Sequence, residues 1–389
     1  MCRPVCLLTN AYPDFPDSNR VVFMRSLAGL LSQRGWSVTV VAPRVFAGSR
    51  AREREDKVEV RRFHSFLADK LLIEYPRAPV FRLAGYMAAG TWAAVTCVRR
   101  GKCSLIHAHW AVPAGLMALV AGKVCNVPVI VTVHGSDLLV IPKRSRLMHK
   151  LVRYVLNSAD AVTSVAEHLT SEIVNMGVPQ EKVLTFPMSV PTESFSADGP
   201  VPEDWPSGPV VFSNRSLYPI YDVDVIVRAA PAILEKVPEA RILIAGEGPE
   251  KERVARLARE LGVAERVEFL GEIPHHQMPR YLRGASVYVS TALSDGASVS
   301  LLEAMACGTL PVVADIPANR EWIQEGENGL FFPIDDADAL AAQVLRCLDD
   351  PAIRTRAREI NVSLIHQRAQ WNLNVGKLLE LYEKVIAQR

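Results

Sequence analysis

Residues 294–307 read Ser-Asp-Gly-Ala-Ser-Val-Ser-Leu-Leu-Glu-Ala-Met-Ala-Cys. A polar loop that contains a glycine runs into a short apolar helix, Gly308 can end that helix, and 310–314 has the composition of a buried strand. Free backbone N–H groups at the start of a helix bind anions. The carboxylates Asp295 and Glu303 can accept hydrogen bonds from hydroxyl groups. The segment therefore predicts a site for a diphosphate that carries hydroxyl groups, as a nucleotide sugar does.

The same alternation of short apolar runs with helical patterns extends over most of the 389 residues. Near-continuous apolar strands separated by helices indicate parallel sheets covered on both faces. Two such series predict an α/β protein with two doubly wound, Rossmann-like domains facing across a cleft. The predicted strands are 5–8, 38–42, 58–62, 105–107, 129–133, 161–164 and 183–186 in the first series and 210–213, 241–245, 267–270, 286–290, 310–314 and 330–332 in the second.

Proline and glycine mark the boundary between the two series. Residues 191–209 contain five prolines and two glycines, which is the composition of a linker. We therefore predict a first domain over 1–190, a linker over 191–209 and a second domain over 210–365. Residues 366–389 have a helical pattern with no strand after it, so this tail is predicted to return to the first domain.

Charge is unevenly distributed along the chain. Residues 1–190 carry 24 Lys and Arg against 13 Asp and Glu, whereas 191–389 carry 20 against 29. A basic first half indicates an anionic partner, either an anionic membrane surface or a phosphorylated acceptor. Chance asymmetry would give the same counts, and that alternative stays open. No nucleic-acid partner is expected.

The seven cysteines are scattered, with no C-x-x-C and no spacing typical of a metal site, which favours reduced thiols in the cytosol. The longest stretches without charged residues are 103–122 and 83–98. The first is interrupted by His and Pro, and the second is shorter than the roughly 20 residues of a membrane-spanning helix. We predict buried segments there, with an interfacial helix over 83–98 as the alternative. The expected location is the cytoplasm, with peripheral attachment at the inner face of the membrane as an option.

Ligands of open parallel sheets bind beyond the carboxyl ends of the strands. Two such ends carry histidine, in His107-Ala108-His109-Trp110 and in His134-Gly135-Ser136-Asp137. His134 and His109 are candidates for contacting a sugar or phosphate, although a histidine bonded to a backbone carbonyl is an equally ordinary outcome. A zinc site is disfavoured because no acidic or thiol ligand lies at matching spacing.

Several other motifs have structural interpretations. Asp222 and Asp224 could bridge a metal to a diphosphate, but capping of the following helix is the preferred interpretation, as it is for Asp335 and Asp336. The pair 275–276, both histidines, is expected to be solvated. Residues 246–249, Gly-Glu-Gly-Pro, lack the third glycine of a dinucleotide fingerprint and are predicted to form a strand-to-helix turn near the nucleotide. No phosphate-binding G-x-x-x-x-G-K-[ST] loop and no G-x-S-x-G elbow occurs in the sequence.

Taken together, these motifs resemble the retaining glycosyltransferases of family 4, which have the two-domain GT-B fold. Residues 295–313 resemble that family's carboxylate-x7-carboxylate segment followed by E-A-M-A-x-G-x-P-V-V. The segments 134–137, 159–183 and 246–249 are similar to further family motifs. The resemblance covers nearly the whole chain and implies an enzyme that moves a sugar with retention, without a metal.

The resemblance implies a role for each candidate residue. In the second domain, Glu303 would hold the ribose of the donor, Asp295 would lie near the transferred sugar, and Arg215 would bind the diphosphate. Backbone groups of Gly296, Ala297, Ser298 and Val299 would contact sugar or diphosphate, with Gly248 close by. In the first domain, which would bind the acceptor, His109 and His134 would act near the sugar, and Ser18, Asn19, Gly135 and Asp137 would line the cleft. No cofactor is implied beyond a UDP- or GDP-linked sugar as co-substrate.

Three departures from the family pattern are visible. Asp295 is one methylene shorter than the usual Glu, no Lys follows Arg215, and 13–19 replace a glycine-rich loop. Arg320, which follows a predicted strand on the same side, is the candidate replacement for the missing Lys. Two alternatives remain besides a transferase of glycan or glycolipid synthesis: a non-catalytic GT-B scaffold that binds sugar nucleotides, and a sugar-nucleotide epimerase.

Overall fold

The computed structural model describes residues 3–15, 18, 20–66 and 80–389. The chain divides into two compact units, Met1–Met188 with Trp371–Arg389 and Ser189–Gln370. Each unit is built on one sheet whose strands are almost all parallel. The prediction of two doubly wound α/β domains is confirmed.

In the described residues, the sheet of the first unit has eight strands in the order β3-β4-β2-β1-β5-β6-β7-β8. β3 is antiparallel to β4, and the other pairs are parallel. β6, Val-Ile-Val-Thr-Val, is buried throughout, as expected for a strand with helices on both sides. The strands are β1 Arg3–Thr9, β2 Trp36–Arg44, β3 Arg52–Glu55, β4 Val58–His64, β5 Leu105–His109, β6 Val129–Val133, β7 Ala161–Ser164 and β8 Val183–Thr185.

Helices cover both faces of this sheet. They are α1 Val22–Gln33, α2 Val80–Gly101, α3 Leu116–Cys125, α4 Ser136–Leu139, α5 Ile141–Arg144, α6 Arg146–Ser158, α7 Glu167–Asn175 and α15 Trp371–Ala387. α1 and α15 share a core with Val5 of β1. Cys97 of α2 contacts Cys6, the next residue of β1, which points to the opposite face. Because α3 packs against both α2 and α6, these three helices form one layer.

In the second unit, the described residues form six parallel strands in the order β11-β10-β9-β12-β13-β14. They are β9 Val210–Ser213, β10 Arg241–Ala245, β11 Val267–Gly271, β12 Val287–Ser290, β13 Pro311–Ala314 and β14 Leu330–Phe332. The helices are α8 Asp224–Lys236, α9 Lys251–Glu260, α10 Met278–Gly284, α11 Val299–Ala306, α12 Pro317–Arg320, α13 Ala337–Asp349 and α14 Pro351–Arg368.

The strand order of the second unit creates a switch point. From β9 the chain moves outward through β10 and β11, and then returns to the other side of β9 as β12. The loops after β9 and β12 therefore diverge, which is where open α/β sheets bind ligands. These loops contain Arg215 and residues 291–298. β1, between β2 and β5, occupies the equivalent position in the first unit.

Three features differ from the sequence-based expectations. β3, Arg-Glu-Arg-Glu, was not predicted because it has no apolar pattern; as an edge strand it carries charges that discourage further pairing. The segment 191–209 is part of the second unit rather than a separate linker, since Phe195 is buried and Trp205 Nε1 donates to Gly284 O at 2.9 Å. The tail joins the first unit from Trp371 onward rather than from residue 366.

Candidate functional site

Arg215 lies just beyond β9 at the switch point and is buried. Its Nη2 donates to Asp295 Oδ2 at 2.7 Å, and its Nη1 donates to Ser300 Oγ at 2.6 Å. The guanidinium also lies 4.2 Å from the ring centroid of Tyr221. Burial disfavours the charged form, but the charge and hydrogen bond of Asp295, together with the neighbouring Tyr221 and Tyr288, outweigh burial and raise the pKa of Arg215. The loop therefore holds a permanent positive charge suited to a diphosphate.

Other polar atoms at these two strand ends are buried and have no hydrogen-bond partner among the described residues. They are Ser213 Oγ at the end of β9, Asn214 Oδ1 directly after it, and Ser290 Oγ at the end of β12. A buried polar atom without a partner is destabilising by about 1–3 kcal/mol, and such atoms are rare in native proteins. Their occurrence at neighbouring strand ends indicates a place where a polar ligand can bind.

The loop after β12 leads into α11 beside Arg215. Ser298 precedes the helix, is buried, and accepts from Arg215 Nη1 at 3.3 Å, but its side chain does not cap the helix. The first N–H groups of a helix have no partner within it. Gly296 and Ala297 lie in the loop before α11, and Val299 N is already bonded to Ala297 O at 3.0 Å. The N-terminal end of α11 adds positive potential beside the Arg215 guanidinium.

Glu303 lies within α11 and is buried. Its Oε1 is 2.7 Å from Nε2 of His275, in the connection after β11. Burial opposes a charged imidazole, but the hydrogen bond and the charge of Glu303 outweigh it, so the pKa of His275 is raised above its ordinary 6.5. The Phe195 ring packs against His275 with centroids 4.9 Å apart. The expectation that His275 is solvated is therefore wrong, whereas His276 is exposed.

In the first unit, the ends of β5 and β6 bring His109 and His134 together, with Nδ1 of His109 2.9 Å from Nε2 of His134. Burial lowers the pKa of His134 to about 3 and also lowers the pKa of His109, so both rings are neutral. In the described part of the chain, Nε2 of His109 is buried without a hydrogen-bond partner. His107 instead bonds to Tyr382 and Thr132, both at 2.6 Å, so this histidine belongs to the interior.

Asp137 organises the loop that carries His134. It is fully buried, and its carboxylate accepts from the backbone N–H groups of Ala111 at 3.0 Å, His134 at 3.1 Å and Gly135 at 2.9 Å. Burial raises its pKa to about 6, against the opposing effect of these hydrogen bonds. Gly135 has φ of 109°, which favours glycine. Both residues thus shape the loop, and the carboxylate of Asp137 is directed at the backbone rather than at an acceptor.

Two family models, each matching one part of the chain, together cover most of its length. The model described as Glycosyl transferase 4-like domain matches residues 21–188, and the model described as Glycosyl transferases group 1 matches residues 203–362. The chain belongs to the group 1 glycosyltransferases of family 4. It is therefore a transferase that uses a nucleotide sugar.

This glycosyltransferase is similar in sequence to known enzymes and in structure to a solved protein. It is 29% identical over 290 residues to a GDP-mannose-dependent α-(1-6)-phosphatidylinositol monomannoside mannosyltransferase of Mycolicibacterium smegmatis. The matched region covers 70% of this chain and 74% of the relative. This chain is 24% identical over 294 residues to an N-acetyl-α-D-glucosaminyl L-malate synthase of Bacillus anthracis, over 72% and 75% of the two chains. A solved sucrose-phosphate synthase of Thermosynechococcus elongatus has a TM-score of 0.84 at 20% identity over 100% of both chains, which supports the GT-B fold.

Arg320 of this glycosyltransferase is exposed on α12. Its Nε and Nη2 donate to the two carboxylate oxygens of Asp315 at 2.5 and 2.6 Å, and its guanidinium lies 5.8 Å from the Phe331 ring centroid. Within the described residues these contacts do not include Arg215 or Asp295. The guanidinium of Arg320 is thus occupied by Asp315, and its role as a replacement for the missing Lys stays a prediction.

Gly248 lies in a turn that packs directly against the Arg215 loop. A Cβ on this residue would lie 2.2 Å from the carbonyl oxygen of Leu217. Leu217 N donates to Glu247 O, and Glu250 N donates to Leu217 O, both at 3.0 Å. The 246–249 turn thus packs backbone against backbone with the segment that carries Arg215, and Gly248 permits that close approach.

The remaining predicted residues have local roles or lie outside the described residues. Ser18 Oγ accepts from Arg20 N at 3.3 Å, and Asn19 lies outside the described residues. Capping is wrong for Asp222, because Val223 precedes α8 and Asp224 instead pairs with Arg253 at 3.0 Å. Capping is confirmed for Asp336, which accepts from Ala339 N at 2.9 Å.

The sequence interpretation missed His275 as a partner of Glu303. His275 follows the end of β11, and the strand-end rule that identifies His109 and His134 as candidates applies there equally. The contact itself joins residues 28 positions apart and could be seen only in three dimensions.

Proposed function

We propose that this glycosyltransferase transfers a sugar from a UDP- or GDP-linked donor to a hydroxyl acceptor, with retention at the anomeric carbon and without a metal. The observation that supports it most directly is the buried guanidinium of Arg215 beside the start of α11, in the same unit as Glu303. In the described residues, no three His, Cys, Asp or Glu side chains are arranged as ligands for a metal. Positive charge for the leaving diphosphate would come from the protein itself.

Departure of the diphosphate leaves positive charge on the anomeric carbon and places negative charge on the leaving group. Arg215 and the N-terminal end of α11 would stabilise that negative charge, and fixed donors act strongly in a site that excludes water. Asp295 holds the Arg215 guanidinium at 2.7 Å and would orient it. Glu303 would accept hydrogen bonds from the ribose of the donor. His109 and His134, both neutral, can exchange hydrogen bonds with sugar hydroxyls without adding charge.

The acceptor is proposed to be a hydroxyl group of a glycan or of a lipid-linked or otherwise anionic compound, in the synthesis of envelope polysaccharide or glycolipid. Two observations support this proposal. The first unit is rich in Lys and Arg. Relatives include proteins named for phosphatidylinositol mannoside, L-malate and inositol 3-phosphate, all of which are anionic.

We also propose that the protein works in the cytoplasm, at the inner face of the membrane. The scattered cysteines agree with a reducing compartment, and the six cysteines in the described ranges are free thiols. No helix in the described part of the chain has the length and apolarity needed to cross a bilayer.

The test is a thermal-shift screen of UDP-, GDP- and ADP-sugars followed by product analysis with the best donor. At least one donor should raise the melting temperature of the protein, and Glu303→Ala should remove most of that increase. His276→Ala, which alters an exposed neighbour of His275, serves as the matched control and should keep the increase. If no donor stabilises the protein and Glu303→Ala changes nothing, the proposal is wrong.

One observation favours a second candidate, a sugar-nucleotide-binding scaffold without catalysis. The carboxylate of Asp295 is already bound to Arg215, and Arg320 is bound to Asp315. A donor could then bind without being activated. Slow hydrolysis of the donor by the wild-type protein, lost in Asp295→Asn, would exclude the scaffold.

A further inference from the structure

The layer formed by α2, α3 and α6 has an unusual outer side. Large apolar side chains are exposed on all three helices: Phe81 is 94% exposed and Trp92 73% on α2, Leu147 is 70% exposed and Tyr154 59% on α6, and Val120 and Val124 are about half exposed on α3. These helices pack against one another on one face of the first sheet. The exposed apolar side chains therefore belong to one surface, which we call the helical surface.

The described segment that contains these three helices has few acidic residues. Residues 80–159 contain ten Lys and Arg but a single acidic residue, Asp137. Asp137 is fully buried, and its carboxylate is bonded to three backbone N–H groups. Its charge is therefore turned inward, so within 80–159 no acidic side chain offsets the exposed Arg99, Arg146, Lys150 and Arg153.

Apolar and cationic side chains alternate along the same helix faces. On α2, Phe81, Trp92 and Arg99 are spaced by whole numbers of helical turns, which places them in one line, and all three are exposed. On α6, Leu147 and Tyr154 are two turns apart, and the exposed residues beside them are Arg146, Lys150 and Arg153. Both helices thus combine side chains that enter an apolar phase with side chains that contact anions.

We propose that the helical surface binds an anionic lipid bilayer. Phe81, Trp92, Leu147 and Tyr154 would enter the boundary between headgroups and acyl chains, where aromatic side chains with an apolar body are favoured. The cations of α2 and α6 would contact anionic headgroups, each strengthening binding about five-fold near the bilayer. The proposal identifies the surface that the cytoplasmic, membrane-attached location requires, and it rests on that part of the proposed function.

A bilayer fits the helical surface better than other partners. Protein interfaces also contain Phe, Trp, Tyr and Arg, but charged residues are depleted at their cores, whereas here cations lie directly beside the exposed apolar side chains. A soluble polyanion would need the cations but would leave Phe81 and Leu147 exposed to water. Interfacial helices, by contrast, combine Lys and Arg with Trp, Phe and Leu, which is the composition of α2 and α6.

The experiment is co-sedimentation of the full-length protein with phosphatidylcholine vesicles, with and without phosphatidylglycerol. We expect binding to the anionic vesicles, weakening with salt, and little binding to phosphatidylcholine alone. Phe81→Ser with Trp92→Ser should reduce the partition coefficient at least ten-fold, and so should Arg146→Glu with Lys150→Glu and Arg153→Glu. Quenching of tryptophan fluorescence by lipids brominated in the acyl chain should fall in Trp92→Phe.

Matched controls lie on the opposite face of the same unit. Leu373→Ser removes an exposed apolar side chain of α15, and Lys377→Glu with Lys384→Glu reverses two exposed cations there. These variants should bind vesicles like the wild type. Donor-induced stabilisation, measured without vesicles, should be unchanged in every variant, which separates a failure of this proposal from a failure of the proposed catalytic function.

Three results would overturn the proposal. One is equal binding to neutral and anionic vesicles. Another is an equal loss of binding in the α15 controls. The third is tight binding of heparin by a protein that does not sediment with anionic vesicles, because that outcome identifies the helical surface as a site for soluble polyanions.

Discussion

The guanidinium of Arg215 is fixed by two hydrogen bonds, from Nη2 to Asp295 and from Nη1 to Ser300. Arg215→Ala should weaken binding of the best donor about 10- to 150-fold, because a hydrogen bond to a charged group contributes roughly 1.5–3 kcal/mol. Isothermal titration calorimetry measures the change. Arg320→Ala is the matched control: its guanidinium is bound to Asp315 on the surface, and we expect donor affinity within about two-fold of the wild type, since exposed ion pairs contribute little. Equal losses in the two variants would mean that Arg320 does take the place of the missing Lys.

The pair of His275 and Glu303 should make stability depend on pH. The pKa of His275 is raised in the folded protein above its ordinary 6.5, so protonation favours folding. The contribution is fully present below about pH 6.5, the unfolded value, and is lost as the pH rises through the raised folded pKa. The measurement is the difference in free energy of unfolding between wild type and His275→Ala, by denaturant titration at several pH values.

That difference should shrink with rising pH, whereas His276→Ala should show no such trend, because its ring is exposed and makes no contact with Glu303 among the described residues. A difference that stays constant from acid to alkaline pH would contradict the role given to the pair. Donor binding, which is expected to involve Glu303, should be measured in the same buffers to show whether the imidazolium competes with the ribose.

At the scale of elements, the turn after β10 sets the position of the loop after β9. Gly248→Ala would bring a Cβ to 2.2 Å from the Leu217 carbonyl oxygen, and a backbone atom cannot move aside cheaply. We expect the substitution to displace the Arg215 loop and to lower both the melting temperature and the affinity for donor. Gly376→Ala, where a Cβ would meet nothing within 4 Å, is the control: donor affinity should be unchanged, and the melting temperature should not fall, because Ala favours the helix α15 over Gly. Normal donor affinity in Gly248→Ala would show that the turn does not position Arg215.

Elements with an apolar pattern could be predicted from sequence, and those without one could not. Runs such as Val-Ile-Val-Thr-Val in β6 identify parallel strands because their side chains are buried on both faces. β3 has only alternating charges and forms because β4 offers a free edge. Residues 191–209 have the proline and glycine content of a linker, but two aromatic side chains, Phe195 and Trp205, anchor the segment to the second unit.

For the candidate site, the sequence predicts the residues but not the contacts between them. Strand-end position and motif identify Arg215, Asp295, Glu303, His109 and His134 without coordinates. The pairings do not follow from the sequence: that Asp295 binds Arg215, that His275 reaches Glu303, and that Arg320 is bound to Asp315. The first two pairings join loops from separate crossovers, and sequence patterns describe one crossover at a time. The third lies within one segment, but it depends on side-chain conformations that a sequence pattern does not specify.

At the scale of the whole molecule, the core of the first unit is completed by α15, which follows the second unit in the chain. α15 supplies Trp371 and Tyr382 to its core, and the Tyr382 hydroxyl lies 2.6 Å from His107 in β5. On a ribosome, which delivers the chain from its N-terminus, the basic unit must therefore wait for the entire second unit to emerge before its own interior is closed. During that delay its sheet lacks one of its covering helices. The second unit, one continuous stretch over 189–370, needs no residue that follows it in the chain.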